Sequence, residues 1–217
     1  MSGAQRMEAV IFDLDGVLVD SEPVHHRAMG RLIAPLEVTE EEYALFVGAS
    51  LEWTIDWLRR RFALIEATDV LAMQYDDLVT EQLLQEPPPP LDGAVELLEE
   101  LRGRGVRLAV ASQSRPRWVR ATLDGSGLRR HFDEVVTADE VARAKPAPDV
   151  YLRAADRLGV QAGACLVVED SVPGVASARA AGMFVVQTQQ ASSAVERQPG
   201  ADAVVVSLRA FRLDWLG

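Results

Sequence analysis

The stretch FDLDGVLVD, residues 12–20, decides the fold of this chain. It continues an apolar run that begins at Ala9, so Asp13 and Asp15 stand two residues apart at the end of a predicted strand. Residues i and i+2 of an extended strand point to the same side. Two acids on one side repel each other unless a cation or a shared proton compensates. The stretch therefore predicts a strand that ends in a binding site for a metal ion and a phosphate.

Apolar strand-like runs recur along the chain, and amphipathic helical patterns alternate with them. Six runs have this character: Glu8–Asp13, Val106–Ala111, Glu134–Thr137, Ala164–Val168, Met183–Val186 and Ala203–Val206. Short and nearly continuous runs of Val, Leu and Ala are typical of parallel strands that are buried on both faces. The alternation predicts the α/β class, with a doubly wound, mostly parallel, Rossmann-like sheet.

The interval 18–87 interrupts this alternation because it contains no convincing strand and has helical patterns throughout. Apolar residues at helical spacing begin directly after Ser50, which we expect to be an N-cap. The interval ends at the run Pro87 to Pro90, which cannot continue a helix. We therefore expect an α/β core over 1–17 and 88–217 and a helical insertion over 18–87. The insertion either extends the core or forms a lid, and its position after the acidic strand end favours a lid.

Composition excludes several classes of partner. The chain has 217 residues and a formal net charge of −11, which disfavours binding to nucleic acid and to anionic membranes. No apolar stretch approaches the length of a transmembrane helix, and the first residues do not resemble a signal peptide. Cys165 is the single cysteine, so no internal disulfide can form. We therefore expect a cytoplasmic protein with neither a nucleic-acid nor a membrane partner.

Polar residues follow four of the predicted strands, where ligands bind in open parallel sheets. Each one alone is weak evidence, because a serine or aspartate after a strand is usually a helix start. Lys145 is the single lysine among 22 basic residues, which is either chance or a need for a compact point charge. Together the strand ends carry four acids, a hydroxyl and this lysine: Asp13, Asp15, Glu169, Asp170, Ser112 and Lys145.

This set of residues favours phosphoryl chemistry. Acids at one site are tolerable around a magnesium ion, which takes hard oxygen ligands. Ser112, the amides of helix starts and Lys145 are suited to hold phosphate oxygens. A carboxylate is able to attack phosphorus, as in enzymes that form an aspartyl phosphate.

Four motifs, in this order, resemble the haloacid dehalogenase superfamily. They are FDLDGVLVD (12–20), Ser112 at a strand end, KPAPDVY (145–151) and VVEDSVPGVASARAAGM (167–183). The branch that this chain most resembles is that of the β-phosphoglucomutase-like phosphatases with a helical cap. The resemblance implies a phosphomonoester hydrolase, with the insertion 18–87 as its mobile cap.

The resemblance also implies a role for each matching residue. Asp13 is the nucleophile and Asp15 the general acid/base. Asp13, the main-chain carbonyl of Asp15 and Asp170 bind Mg²⁺, with Glu169 assisting. The transferring phosphate is held by Ser112 and Lys145.

Residues that set the substrate are harder to predict. His25 resembles a histidine that relays contact to the general acid in the mutase branch, although it is equally compatible with a solvated surface. The segment Phe46 to Trp53, which includes Gly48 and Ser50, resembles the specificity loop of the cap. Gln113 and Arg115 are placed beside Ser112 and are candidates for contact with the leaving group.

One departure from the mutase pattern separates two functions. Mutases of this branch carry an arginine after the serine, to bind a second phosphate, and this chain has Leu51 there. In addition, no Lys or Arg occurs between Phe62 and Leu101. We therefore predict a magnesium-dependent phosphatase that acts on a small phosphorylated metabolite, a sugar phosphate. The alternatives are a sugar phosphomutase and, less favoured, a non-catalytic binding protein on the same fold.

Overall fold

The structure, a computed structural model, describes residues 6–46, 50–191 and 195–217. The chain divides into two compact units. The first consists of Met1–Asp20 and Pro88–Gly217, and the second of Ser21–Pro87. The first unit contains the sheet, and the described residues of the second unit form helices and their connections.

The sheet has six parallel strands, in the order β3-β2-β1-β4-β5-β6. The strands are β1 Ala9–Phe12, β2 Arg107–Ala111, β3 Glu134–Val136, β4 Cys165–Glu169, β5 Phe184–Thr188 and β6 Ala203–Val205. All six predicted strands are confirmed, with ends within two residues of the prediction. The predicted parallel α/β class is also confirmed. Because β1 and β4 are neighbours at the centre of the sheet, the residues that follow or end them lie side by side.

The described residues contain helices in both units. They are α1 Glu22–Ile33, α2 Glu40–Ala44, α3 Leu51–Arg61, α4 Thr68–Gln85, α5 Ala94–Gly103, α6 Pro116–Gly125, α7 Asp149–Leu158 and α8 Val172–Ala180. The helix α5 begins directly after Gly93. Gly93 has a left-handed backbone with φ of +81°, so the chain turns there before the helix begins. None of the helices in the described ranges combines the length and apolar character of a membrane span.

Both faces of the sheet are covered, which explains why the strands are apolar without alternation. Val10 and Phe12 of β1 pack in one hydrophobic cluster with residues of α5 and α6. Ala9 and Ile11 point to the other face and pack with residues of α7 and α8. Cys165 is buried in this second cluster, and burial raises the pKa of its thiol to about 11. The cysteine is therefore a packing residue.

The helical unit is organised around α4, which packs against α1 and α3. Ser50 caps α3, since its Oγ accepts a hydrogen bond from the amide of Trp53 at 3.2 Å. Ile55 and Leu58 are buried on the inner face of α3. The helix α4 ends at Gln85, ahead of the proline run.

Candidate active site

The carboxyl edge of the sheet brings residues from distant parts of the chain together. Asp13 follows β1, and its amide donates to the carbonyl of Val168 at 3.0 Å. Ser112 follows β2, and its amide donates to the carbonyl of Val136 at 3.0 Å. Glu169 is the last residue of β4. Parallel strands in register therefore place all three side chains at one edge.

Lys145, from the loop before α7, bridges two of these carboxylates. Its Nζ donates to Asp13 Oδ1 at 2.6 Å and to Glu169 Oε1 at 2.6 Å. A third, longer bond of 3.3 Å goes to the carbonyl of Ala111. The side chain of Lys145 is only 4% exposed. An ammonium group has three donors, so its hydrogen bonds to the protein are complete.

Glu169 is saturated in the same way. Its Oε1 accepts hydrogen bonds from Lys145 Nζ and from the hydroxyl of Tyr151, and the second bond is 2.8 Å long. Its Oε2 accepts from the amide of Asp170 at 2.8 Å and from the amide and hydroxyl of Ser171 at 2.9 and 3.0 Å. Five donors from the protein thus hold a carboxylate that is fully buried.

Asp15 has different partners from Asp13, although both belong to the same short stretch. The Oδ2 atom of Asp15 accepts a hydrogen bond of 2.7 Å from Ser114 Oγ. Ser112 Oγ lies 3.5 Å from the same oxygen and accepts from the amide of Ser114 at 3.0 Å. The two acids are therefore held by a lysine on one side and by a pair of serines on the other.

Two glycines leave room for carboxylates at this edge. Gly16 has φ of +80°, and a Cβ atom there would lie 2.1 Å from Asp170 Oδ2. A Cβ atom at Gly174, in the first turn of α8, would lie 1.7 Å from Glu169 Oε1. Any larger residue at either position would displace the carboxylate, so both glycines are part of the site's architecture.

The charges of the site are unevenly balanced. Burial lowers the pKa of Lys145, but Asp13 and Glu169 outweigh burial and leave that pKa well above its usual value. Burial raises the pKa of Glu169, but Lys145 and the hydrogen bonds leave it below its usual value. At Asp13 burial raises the pKa, Lys145 opposes it, and the charges of Glu169, Asp15 and Asp170 raise it further, to well above the usual value. One lysine therefore does not neutralise the acids around it.

This surplus of negative charge and the oxygen atoms available as metal ligands fit a hard divalent cation. Within the described ranges, no three His, Cys, Asp or Glu side chains are grouped as a metal site. The family resemblance implies a metal site that, without Glu169, consists of two carboxylates and the main-chain carbonyl of Asp15. A site of this kind does not need three acidic side chains in one group. Asp13 and Asp170 are the two carboxylates that fit, since Glu169 already accepts five hydrogen bonds.

The predicted substrate residues of the helical unit are placed as follows. The ring Nδ1 of His25 lies 3.0 Å from the hydroxyl of Tyr75, and the two rings are stacked. Ser50 is exposed and caps α3, which is a structural role. Gly48 lies outside the described residues. His25 and Ser50 thus both contact residues of the helical unit.

In the sheet unit, Gln113 and Arg115 lie between β2 and α6. Gln113 is exposed and immediately follows Ser112. Arg115 is the N-cap residue of α6, and its guanidinium carbon lies 5.9 Å from the ring centre of Trp118.

Three polar residues of the site were missed by the sequence analysis: Ser114, Tyr151 and Ser171. Ser114 is two residues from Ser112, a spacing that could have indicated it. Ser171 does have the expected role of a helix cap, since it accepts from the amide of Gly174, and its bond to Glu169 is an additional one. Tyr151 has the pattern of a core aromatic, and nothing in the sequence indicates where its hydroxyl points.

The fold and the site together define an α/β protein with carboxylates and a buried lysine at the carboxyl edge of its parallel sheet. A model of the family described as haloacid dehalogenase-like hydrolase matches residues 7–182. The chain therefore belongs to the haloacid dehalogenase-like hydrolases, and it is an enzyme of that family. The family resemblance seen in the motifs is confirmed.

Relatives of known name align with more than four fifths of the chain. Fructose-1-phosphate phosphatase YqaB of Escherichia coli (strain K12) is 35% identical over 192 residues, or 85% of this chain and 98% of that protein. A phosphorylated carbohydrates phosphatase of Thermotoga maritima is 31% identical over 182 residues and 82% of each chain. The crystal structure of CbbY from Rhodobacter sphaeroides in complex with phosphate has a TM-score of 0.84 at 26% identity, and the match covers 97% of this chain and 99% of that one.

Proposed function

We propose that this chain is a magnesium-dependent phosphatase that hydrolyses a small phosphorylated carbohydrate through a phosphoaspartate at Asp13. The observation that carries the proposal is the buried ion pair between Asp13 and Lys145, at the edge where a parallel sheet binds ligands. The two relatives with phosphatase names support the choice of substrate class. The net charge of −11 and the single cysteine support a cytoplasmic enzyme without a nucleic-acid partner.

In the first step, a carboxylate oxygen of Asp13 forms a bond to phosphorus while the bond from phosphorus to the substrate oxygen breaks. Asp15 gives a proton to the departing oxygen, which leaves as an alcohol. The hydroxyl of Ser114, at 2.7 Å, holds the carboxyl group of Asp15 in position. Ser112 and Lys145 hold oxygens of the transferring phosphate.

In the second step, water attacks the phosphorus of the phosphoaspartate. Asp15, now ionised, accepts a proton from this water, and the bond from phosphorus to Asp13 breaks. Inorganic phosphate leaves, and both aspartates return to their starting states. A single residue therefore acts first as an acid and then as a base.

Asp13, Asp170 and the carbonyl of Asp15 are the groups that would hold Mg²⁺. When bound, the ion neutralises the acids and attracts the phosphate. We assign Glu169 to holding Lys145 rather than to the metal, because its oxygens accept five hydrogen bonds from the protein. A neutralising cation would also reverse the rise in the pKa of Asp13, so that Asp13 is ionised when it attacks.

We further propose that the helical insertion, residues 18–87, serves as the cap and selects the substrate. His25, Gly48 and Ser50 are its candidate contacts, with Gln113 and Arg115 contributing from the sheet unit. Burial raises the pKa of Tyr75, so its hydroxyl stays protonated beside His25 Nδ1. We assign the other ring nitrogen, Nε2, to the substrate.

A screen for phosphate release tests the proposal. The purified protein is incubated with sugar phosphates, phosphoglycolate and nucleotides, with Mg²⁺ and with a chelator. We expect release from one or more sugar phosphates, dependent on Mg²⁺ and abolished in Asp13→Asn. Failure to release phosphate from the whole panel would instead favour a non-catalytic binding protein.

The remaining alternative, a phosphomutase, makes a different product. A hexose 1-phosphate is incubated with its bisphosphate, and both isomers and free phosphate are followed. Leu51 stands where mutases carry an arginine, so we expect phosphate release to exceed isomerisation. Isomerisation faster than release would overturn the assignment as a phosphatase.

A further inference from the structure

Tyr151 is a buried polar residue that the proposed chemistry does not use. It lies in the first turn of α7 and is fully buried in the core. Its hydroxyl donates to Glu169 Oε1 at 2.8 Å, and the centre of its ring lies 4.9 Å from Lys145 Nζ. Burial raises the pKa of Tyr151 well above its usual value, so the phenol stays protonated and remains a donor.

We propose that Tyr151 is a positioning residue, which acts through Glu169 to keep the ammonium group of Lys145 directed at Asp13 and the transferring phosphate. The inference rests on the proposed phosphatase function. Tyr151 does not contact the reacting atoms in this arrangement. Its hydroxyl holds in place the carboxylate oxygen to which Lys145 donates, and its ring covers one side of the ammonium group.

The hydrogen bonds of Lys145 explain why this support matters. Its three donors are already used, so an arriving phosphate oxygen must replace one of the three acceptors. The bond to the carbonyl of Ala111, at 3.3 Å, is the longest and the most readily exchanged. The bond to Glu169 must keep its length during the exchange, because a shorter one would draw Nζ away from Asp13.

Without the phenolic hydroxyl, Glu169 Oε1 would have only the ammonium group as a donor. The carboxylate would then bind the ammonium group more closely and draw it away from Asp13. Oε2 would be unaffected, because its three donors come from Asp170 and Ser171. The effect of losing the hydroxyl should therefore appear in the binding of phosphate and not in the binding of the metal.

The variant Tyr151→Phe removes the hydroxyl and keeps the ring. The probe is inorganic phosphate, whose affinity is measured by calorimetry in the presence of Mg²⁺. We expect the affinity to fall about fivefold, the factor that corresponds to one buried hydrogen bond. The Mg²⁺ concentration for half-maximal turnover of p-nitrophenyl phosphate should change by less than about twofold, since the hydrogen bond from the Asp170 amide to Glu169 Oε2 is kept.

Because Lys145 is the single lysine of the chain, a second readout observes it directly. Lysine labelled with ¹⁵N at Nζ gives one side-chain ammonium signal, which should shift in Tyr151→Phe. The matched control is Cys165→Ala, which removes a buried group at the opposite end of β4. Its stability should fall, while its ammonium signal and phosphate affinity should stay those of the wild type.

The results separate the two proposals. An unchanged ammonium signal together with unchanged phosphate affinity in Tyr151→Phe would overturn the positioning role. A loss of Mg²⁺ affinity without a loss of phosphate affinity would also overturn it, since Glu169 would then act on the metal. If the wild type bound phosphate but released none from any ester, the phosphatase proposal would fail, and the calorimetry and ammonium signal would still decide the role of Tyr151. A wild type that bound no phosphate would overturn both.

Discussion

Replacing Lys145 with methionine should destabilise the protein strongly, and in a pH-dependent way. The ammonium group lies 2.6 Å from carboxylate oxygens of both Asp13 and Glu169. The side chains of Lys145, Asp13 and Glu169 are 4%, 10% and 0% exposed, so water does not replace the lost charge. Lys145→Met therefore leaves two buried carboxylates without a cation.

The magnitude follows from that burial. Removing one partner of a buried ion pair costs about 3–5 kcal/mol, whereas an exposed pair contributes about 1 kcal/mol or less. In the variant, burial and the charges of Glu169, Asp15 and Asp170 hold the folded-state pKa of Asp13 above its unfolded value of about 4. A group with a raised folded pKa gives stability that is present below the unfolded pKa and is lost as the pH rises through the folded pKa. The stability deficit of the variant should thus be largest at neutral pH and shrink as the pH falls toward about 4.

Urea unfolding followed by circular dichroism measures the effect at several pH values. The matched control is Arg209→Met, which removes a cation that binds Asp92 and Glu96 at the exposed surface. We expect the control to lose far less stability than Lys145→Met at neutral pH, because water screens its exposed ion pairs. A loss in Lys145→Met no larger than that of the control, or a deficit that does not shrink in acid, would refute the buried-charge account.

Three further predictions concern single positions. Gly16→Ala should lower the unfolding free energy by about 1–2 kcal/mol, because the backbone at this position is left-handed. It should also raise the Mg²⁺ concentration that activity requires, because the added Cβ displaces Asp170, and a variant that titrates with Mg²⁺ like the wild type would contradict this. Ser114→Ala should slow turnover of a sugar phosphate about tenfold by releasing Asp15, and slow p-nitrophenyl phosphate less, because that leaving group needs little acid catalysis; equal effects on both esters would argue against it. Ser50→Ala should lower the unfolding free energy by about 1 kcal/mol through loss of the α3 cap, measured by urea unfolding, and an unchanged midpoint would count against that cap.

The strands and the polar residues that follow four of them were predictable because their signal is local. Strands buried on both faces are apolar throughout, and the polar residues after four of them mark their carboxyl ends. Asp13, Ser112 and Glu169 could therefore be placed at one edge without coordinates. Tyr151 and Ser114 were missed because their roles depend on side-chain directions.

The sequence also did not indicate which charged groups pair with each other. The residue types were compatible with Glu169 as a metal ligand, and the resemblance implied that it assists. The five donors around Glu169 come from Lys145, Tyr151, Asp170 and Ser171, so its saturation depends on how α7 packs against the sheet. Such contacts join residues up to 24 positions apart, and no local pattern encodes them.

The most direct test of the central claim is to trap the phosphoryl group on Asp13. The enzyme is mixed with Mg²⁺ and a sugar phosphate that it hydrolyses, and the reaction is quenched in acid within a single turnover. The protein is then digested and analysed by mass spectrometry. We predict a phosphorylated peptide that contains Asp13, and neither this peptide nor phosphate release in Asp13→Asn. Steady phosphate release by Asp13→Asn, or turnover by the wild type with phosphate on some other residue or on none, would contradict the account.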